Sequence, residues 1–170
     1  MKPLDPDAES LVRQWVEKAE ADLEAAEQLA PNVVSGTRLR EIVGFHCQQT
    51  VEKFLKALLT HYQVEFPKTH DIKRLPMLVS GVSRETADAL NGAKWLGPFG
   101  VEIRYPGDAA EMLPGDEVKA IKLARVAKEL VLRVLDRYSV SVTLLMVRGW
   151  SGSWPFWTAR QAAKSCAGTM

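Results

Sequence analysis

The sequence predicts an all-α fold: an up-and-down bundle of four to five helices, with an irregular loop before the last long helix. Two observations carry that expectation. Three long segments repeat apolar residues at steps of three and four, the period of a helix with one buried face. Alternation, the mark of a half-buried strand, is confined to Val101-Glu102-Ile103, within a glycine- and proline-rich stretch read as an ordered loop.

Each element has its own signals. Asp5-Pro6-Asp7 combines a cap, a proline at the first helical position and acids in the first turn, which starts a helix running to about Ala30. Its expected inner face is Leu11, Trp15, Ala19, Leu23, Ala26 and Leu29, with Asp22 in the same arc. Pro31-Asn32 ends it, and Ser35 or Thr37 is the expected cap of a second helix to about Gln63. On that helix Val43, Cys47, Val51, Phe54, Leu55, Leu58 and Tyr62 share one arc, Gln48 sits at its edge, and Gln49, Glu52, Lys53 and Lys56 gather opposite. Glu65 to Lys68 reads as a loop, Thr69 as the cap of a short helix from His70 to about Leu78, and Ser83 as the cap of a helix to about Leu96, stopped by Gly97-Pro98. Phe99 to Pro114 is the irregular loop. Asp116 caps the last long helix, to about Tyr138, with Leu123, Ala124, Ala127, Leu130, Val131 and Val134 on one side.

The 170 residues fit one domain with a true core, and 46% apolar with 25% charged residues is ordinary for a globular protein. All 21 acidic residues lie at or before Asp136. With nineteen basic against twenty-one acidic residues, the first 140 positions carry −2, which is not the footprint of a DNA-binding domain. Residues 141–170 differ in kind: no acid, three of the five tryptophans (Trp150, Trp154, Trp157), and glycine and serine between them. They read as an apolar C-terminal extension to a bundle of residues 1–140. Two cysteines make no disulfide framework, and Cys47, on an apolar arc, reads as a small buried hydrophobe. No apolar stretch reaches ~18 residues, so no membrane span is expected. No signal peptide is visible either, and the cytoplasm is the default location. There is no glycine-rich phosphate loop and no metal-spaced set of Cys and His, and no cofactor is expected.

Four stretches carry a family resemblance. The helix Phe45-His46-Cys47-Gln48-Gln49-Thr50-Val51-Glu52-Lys53-Phe54-Leu55-Lys56-Ala57-Leu58-Leu59 resembles the signature helix of prokaryotic HEPN-domain proteins. Asp22-Leu23 resembles the family's first-helix motif, Thr69-His70-Asp71-Ile72 its His-Asp turn, and Arg104-Tyr105-Pro106-Gly107 its Arg-Tyr-Pro-Asp turn, here with Asp108 one place late. The four occur in the family's order across residues 8 to 138. The resemblance implies a homodimer that acts with a minimal nucleotidyltransferase as a two-gene, toxin–antitoxin-like pair, with nucleotide or RNA as the ligand class.

The polar residues that interrupt apolar faces are the site candidates. Asp22, Gln48, Gln49, Lys53, His70, Arg104 and Tyr105 form the expected ligand-binding or polar cluster, with Gln48, Lys53, Arg104 and Tyr105 as partners for the Asp22 carboxylate. Two readings fit: a polar floor beneath a binding groove, or a network that fixes helix register, the commoner arrangement. The alternative function is a divergent metal-independent ribonuclease. The resemblance puts the catalytic arginine of that chemistry at Arg104 and a histidine after four to six intervening residues. Positions 109 to 111 hold Ala109, Ala110 and Glu111 instead. Arginine stabilises phosphorane charge but moves no proton, and a solvated Glu111 is a weak base, so no catalytic residue is expected. Arg40 and His46 have the right separation, but within the second helix, where the family places no catalytic pair.

Overall fold

The structure, a computed structural model, describes residues 5–34, 38–67, 74–101 and 111–147. By its contacts the chain forms two units, Met1–Tyr138 and Ser139–Met170. Six α-helices and two 3-10 turns make up the described residues, and no strand occurs among them. The fold is all-α, as the apolar periodicity requires.

α1 spans Pro6–Leu29, and the Asp5 carboxylate accepts from the Asp7 backbone N–H at its start. Its buried stripe is Val12, Ala19, Leu23 and Ala26. Leu11, expected inside, is 42% exposed; the stripe is rotated by one residue, about 100°, at that end. A 3-10 turn over Ala30–Asn32, with Pro31 inside it, leads out of α1.

α2 spans Leu39–His61 and is the axis of the first unit. It packs against α1, α3, α5 and the 91–96 turn. The expected caps Ser35 and Thr37 lie outside the described residues, and Arg38 precedes the helix without a side-chain cap. Val43, Cys47, Val51, Phe54, Leu55, Leu58 and Leu59 are fully buried. The opposite face is not the solvated one that the sequence suggests: Gln49, Glu52 and Lys56 are buried as well. On the side where α2 is covered by its neighbours, little surface is left for water, so the polar residues there must satisfy one another.

The segment after α2 is more divided than expected. α3 spans Arg74–Ser80, so the described part ends two residues beyond the expected Leu78. Pro76 lies within the described part of this helix and is buried there. Ser83 caps α4, Arg84–Ala89, accepting from the Thr86 backbone N–H. The helix does not continue to Leu96: at Asn91-Gly92, poor helix formers, the chain tightens into a 3-10 turn over Asn91–Leu96. Pro98, expected as a stop, opens a further short helix, α5, Pro98–Val101, within the stretch expected to be loop.

α6 spans Asp116–Val147, nine residues past the expected end at Tyr138, and its last turns belong to the second unit. Gly115, at φ +94°, makes the turn into it, a conformation that glycine adopts without strain. Ala120, Ala124, Ala127 and Val131 bury against the core that α1 and α2 supply. Glu20 pairs with Lys128 and Glu27 with Arg125, each at 2.7 Å. Ascending α1 therefore means descending α6, and the two helices run antiparallel.

Candidate functional site

Two polar clusters stand on α2, on different sides of the helix. In the first, the Asp22 carboxylate of α1 takes both a histidine and a lysine of α2. Asp22 Oδ1 lies 3.0 Å from His46 Nδ1, and Lys53 Nζ donates to Asp22 Oδ2. His46 and Lys53 are seven residues apart, two turns on one face, which is why a single carboxylate reaches both. The group is half-buried, with side-chain exposures of 15% for Asp22, 26% for His46 and 19% for Lys53. An ionised carboxylate only accepts, so His46 presents Nδ1–H to it, and in the neutral ring the lone pair is then on Nε2. The Phe45 ring meets the imidazole edge-on, centroids 5.4 Å apart, and braces it from the next position.

The second cluster is fully enclosed. Gln49 Nε2 donates to Gln48 Oε1 at 2.7 Å, Gln48 Nε2 donates to Glu52 Oε2 at 3.1 Å, and Lys56 Nζ donates to Glu52 Oε1 at 2.8 Å. Lys56 also stands over the Trp15 ring, 5.1 Å from its centroid. Thus the Glu52–Lys56 pair, spaced for a weak surface interaction, is a buried ion pair stacked on an aromatic face. α5 closes this cluster: a Cβ on Gly100 would come within 2.5 Å of the Gln48 side-chain carbonyl carbon, so only glycine allows that approach.

The expected single cluster is therefore two. Asp22 and Lys53 join His46; Gln48 and Gln49 join Glu52 and Lys56. Asp22 does not bond Gln48, whose amide faces along its own helix to Glu52. His70, Arg104 and Tyr105 lie outside the described residues. Glu111 is exposed. Arg40, which has catalytic spacing to His46, is committed elsewhere: its Nε donates to Glu117 Oε2 at 2.8 Å. Burial pushes the Glu117 carboxyl up, but backbone N–H donors and the Arg40 guanidinium outweigh it and hold the carboxyl low. The participants missed in the sequence are His46, Glu52 and Lys56. The signal for His46 was present: an acid in the apolar arc of one helix facing a His/Lys pair two turns apart on the next.

The Cys47 thiol is fully buried and pushed up to about 12 by burial and, secondarily, by the Glu27 charge, so it supplies no nucleophile. No group of three His, Cys, Asp or Glu side chains is placed to hold a metal ion among the described residues. Nor, among those residues, is any helix long and apolar enough to cross a membrane.

Both clusters lie within the part of the chain that matches a known family. The HEPN domain matches residues 12–137, from the first buried residue of α1 through most of α6. The chain belongs to the HEPN-domain family. No curated protein and no solved structure matches it. Within this HEPN domain the His, Gln, Gln, Glu and Lys side chains of α2 at positions 46, 48, 49, 52, 53 and 56 bind one another or Asp22.

Proposed function

We propose that this HEPN-domain protein is an interaction module: a homodimeric cytoplasmic component of a two-gene, toxin–antitoxin-like pair that binds a minimal nucleotidyltransferase, with a nucleotide at the contact. The observation that carries this reading is how the polar residues of α2 are used. Gln48, Gln49, Glu52 and Lys56 are consumed within the fold, and Arg40 is tied to Glu117. Positions 109 to 111 supply no histidine to follow Arg104. Ribonucleolytic transfer needs a proton acceptor for the 2′-hydroxyl and a donor for the leaving 5′-oxygen. The exposed Glu111 is a poor candidate for either, so the family's binding role is favoured over its nuclease role.

The test is co-expression with a minimal nucleotidyltransferase encoded beside the gene. Co-purification at fixed stoichiometry supports the reading, as does light scattering of the isolated chain at about twice 18.9 kDa. Cleavage of a structured RNA in the presence of chelator, abolished by Arg104→Ala and by Glu111→Gln, would replace it with the ribonuclease.

A further inference from the structure

The Asp22–His46–Lys53 group has one unused reactive atom. Among the described residues His46 Nε2 has no hydrogen-bond partner, it is not among the buried polar atoms, and the side chain is 26% exposed at the α1–α2 surface. Its ring is fixed on two sides, by Asp22 at Nδ1 and by the Phe45 edge. A carboxylate accepting from Nδ1–H directs the neutral ring's lone pair to Nε2 and holds it in one orientation. It also supplies the counter-charge for the imidazolium character that develops when Nε2 forms a bond. Among the described residues, no hydroxyl or thiol is bonded into the group for Nε2 to deprotonate. Thr50 Oγ1 is turned to the His46 backbone carbonyl, and the Cys47 thiol is enclosed in the core. The lone pair is therefore placed to act itself, as a nucleophile. Lys53 adds the remaining element: an ammonium has three donors and Asp22 uses one, leaving positive charge and N–H groups beside an incoming anion.

We propose that His46 Nε2 is a phosphoryl-acceptor site, with Asp22 and Lys53 as positioning residues and a phosphoanhydride or phosphoramidate as the donor class. The Nε2 lone pair forms the N–P bond as the bond from phosphorus to the leaving group breaks. The leaving group departs with that electron pair, and the Nδ1 proton stays on the ring, shared with Asp22. With phosphoramidate the leaving group is ammonia; with a nucleoside triphosphate it is the diphosphate. This assignment is independent of the nucleotidyltransferase partnership, because it concerns a single chain and a small donor.

The experiment incubates the full chain with phosphoramidate, with N-acetylhistidine in the same tube as the reactive standard. Intact mass, acid lability and peptide mapping give the readout. One acid-labile phosphoryl group at His46 is expected, absent from His46→Gln. Asp22→Asn keeps the side-chain shape but removes the charge, and slows labelling by roughly tenfold or more. Lys53→Met slows it in the same direction. The proposal is overturned if the standard is labelled while the chain is not, if the group maps to His61 or His70, or if Asp22→Asn is labelled at the wild-type rate. Mapping on the wild-type chain decides the site even if a His46 variant folds poorly.

Discussion

Replacing Gly100 by alanine tests whether α5 is seated on the amide of Gln48. The added Cβ would lie 2.5 Å from Gln48 Cδ and 2.7 Å from its Nε2 and Oε1, where ordinary contact begins at 3.4 Å, so the amide must retreat by nearly 1 Å. It has nowhere to go: Oε1 accepts from Gln49 and Nε2 donates to Glu52, and the residue is fully buried. Overpacking of this size costs about 1–3 kcal/mol, and a buried hydrogen bond broken in the shift adds about 1–3 kcal/mol. Against these, alanine gains about 1 kcal/mol over glycine as a helix former. The net loss is about 1–5 kcal/mol, which lowers the melting temperature by roughly 2–4 °C per kcal/mol in a chain of this size. The decisive arm is the double mutant. In a Gln48→Ala background the obstacle is gone, and Gly100→Ala becomes neutral or stabilising by up to about 1 kcal/mol. Urea titrations followed by circular dichroism measure all four corners of the cycle. An equal cost in both backgrounds, or no cost in the wild type, refutes the contact.

Three further outcomes follow from the two clusters and the core. Asp22→Ala leaves Lys53 and His46 without their shared acceptor; since the group is half-buried, the loss lies between surface and buried values, about 1–3 kcal/mol by denaturant titration, and in a Lys53→Met background it shrinks. Cys47 is protonated in the fold up to about pH 12, against an ordinary value of 9.0, so the unfolded chain releases its proton first. Stability therefore declines as pH rises from about 9 toward 12, and Cys47→Ala removes that part of the decline in alkaline melts. Burial lowers the His61 imidazole below its ordinary 6.5, so the unfolded state takes up the proton first as the solution is acidified; stability falls below about pH 6.5, and a His61→Gln variant shows a shallower acid limb.

The long helices were legible because their signals are local. Asp5-Pro6 sets the start of α1, and the arc from Val43 to Leu58 sets the buried face of α2. The second face of α2 was not legible, because Glu52, Lys53 and Lys56 have the composition of a solvated stripe. Only the position of Trp15 and α5 shows that two of the three are enclosed. Residues 84–101 were misjudged for a related reason: Asn91-Gly92 and Gly97-Pro98 weaken a helix without saying what replaces it, and tertiary packing of Leu90, Leu96 and Phe99 selects the tight turns seen. On α6 the periodicity past Tyr138 is unclear, yet backbone hydrogen bonding carries the helix to Val147.

The register of the three long helices rests unevenly on their ion pairs. α1 and α6 are joined by Glu20–Lys128 and Glu27–Arg125, whose side chains are 35–60% exposed and which contribute little against water. Arg40–Glu117 joins α2 to α6 at 15% exposure for both partners, and Asp22 joins α1 to α2 at the same exposure. Glu52–Lys56 lies within one helix, with Lys56 over the Trp15 ring of α1; it makes the enclosed side of α2 tolerable, since removing one charge would leave the other buried without its counter-charge. Asp22 is different in kind. It stands next to Leu23, in the face of α1 turned to α2, and has two partners on that helix. Sliding α1 by one turn would move the carboxylate off His46 and Lys53 and leave its charge without those partners. The Asp22 pairing thereby adds to core packing an electrostatic penalty against the shifted register. The same constraint holds the His46 ring still, and a fold requirement thereby fixes the direction of its free nitrogen.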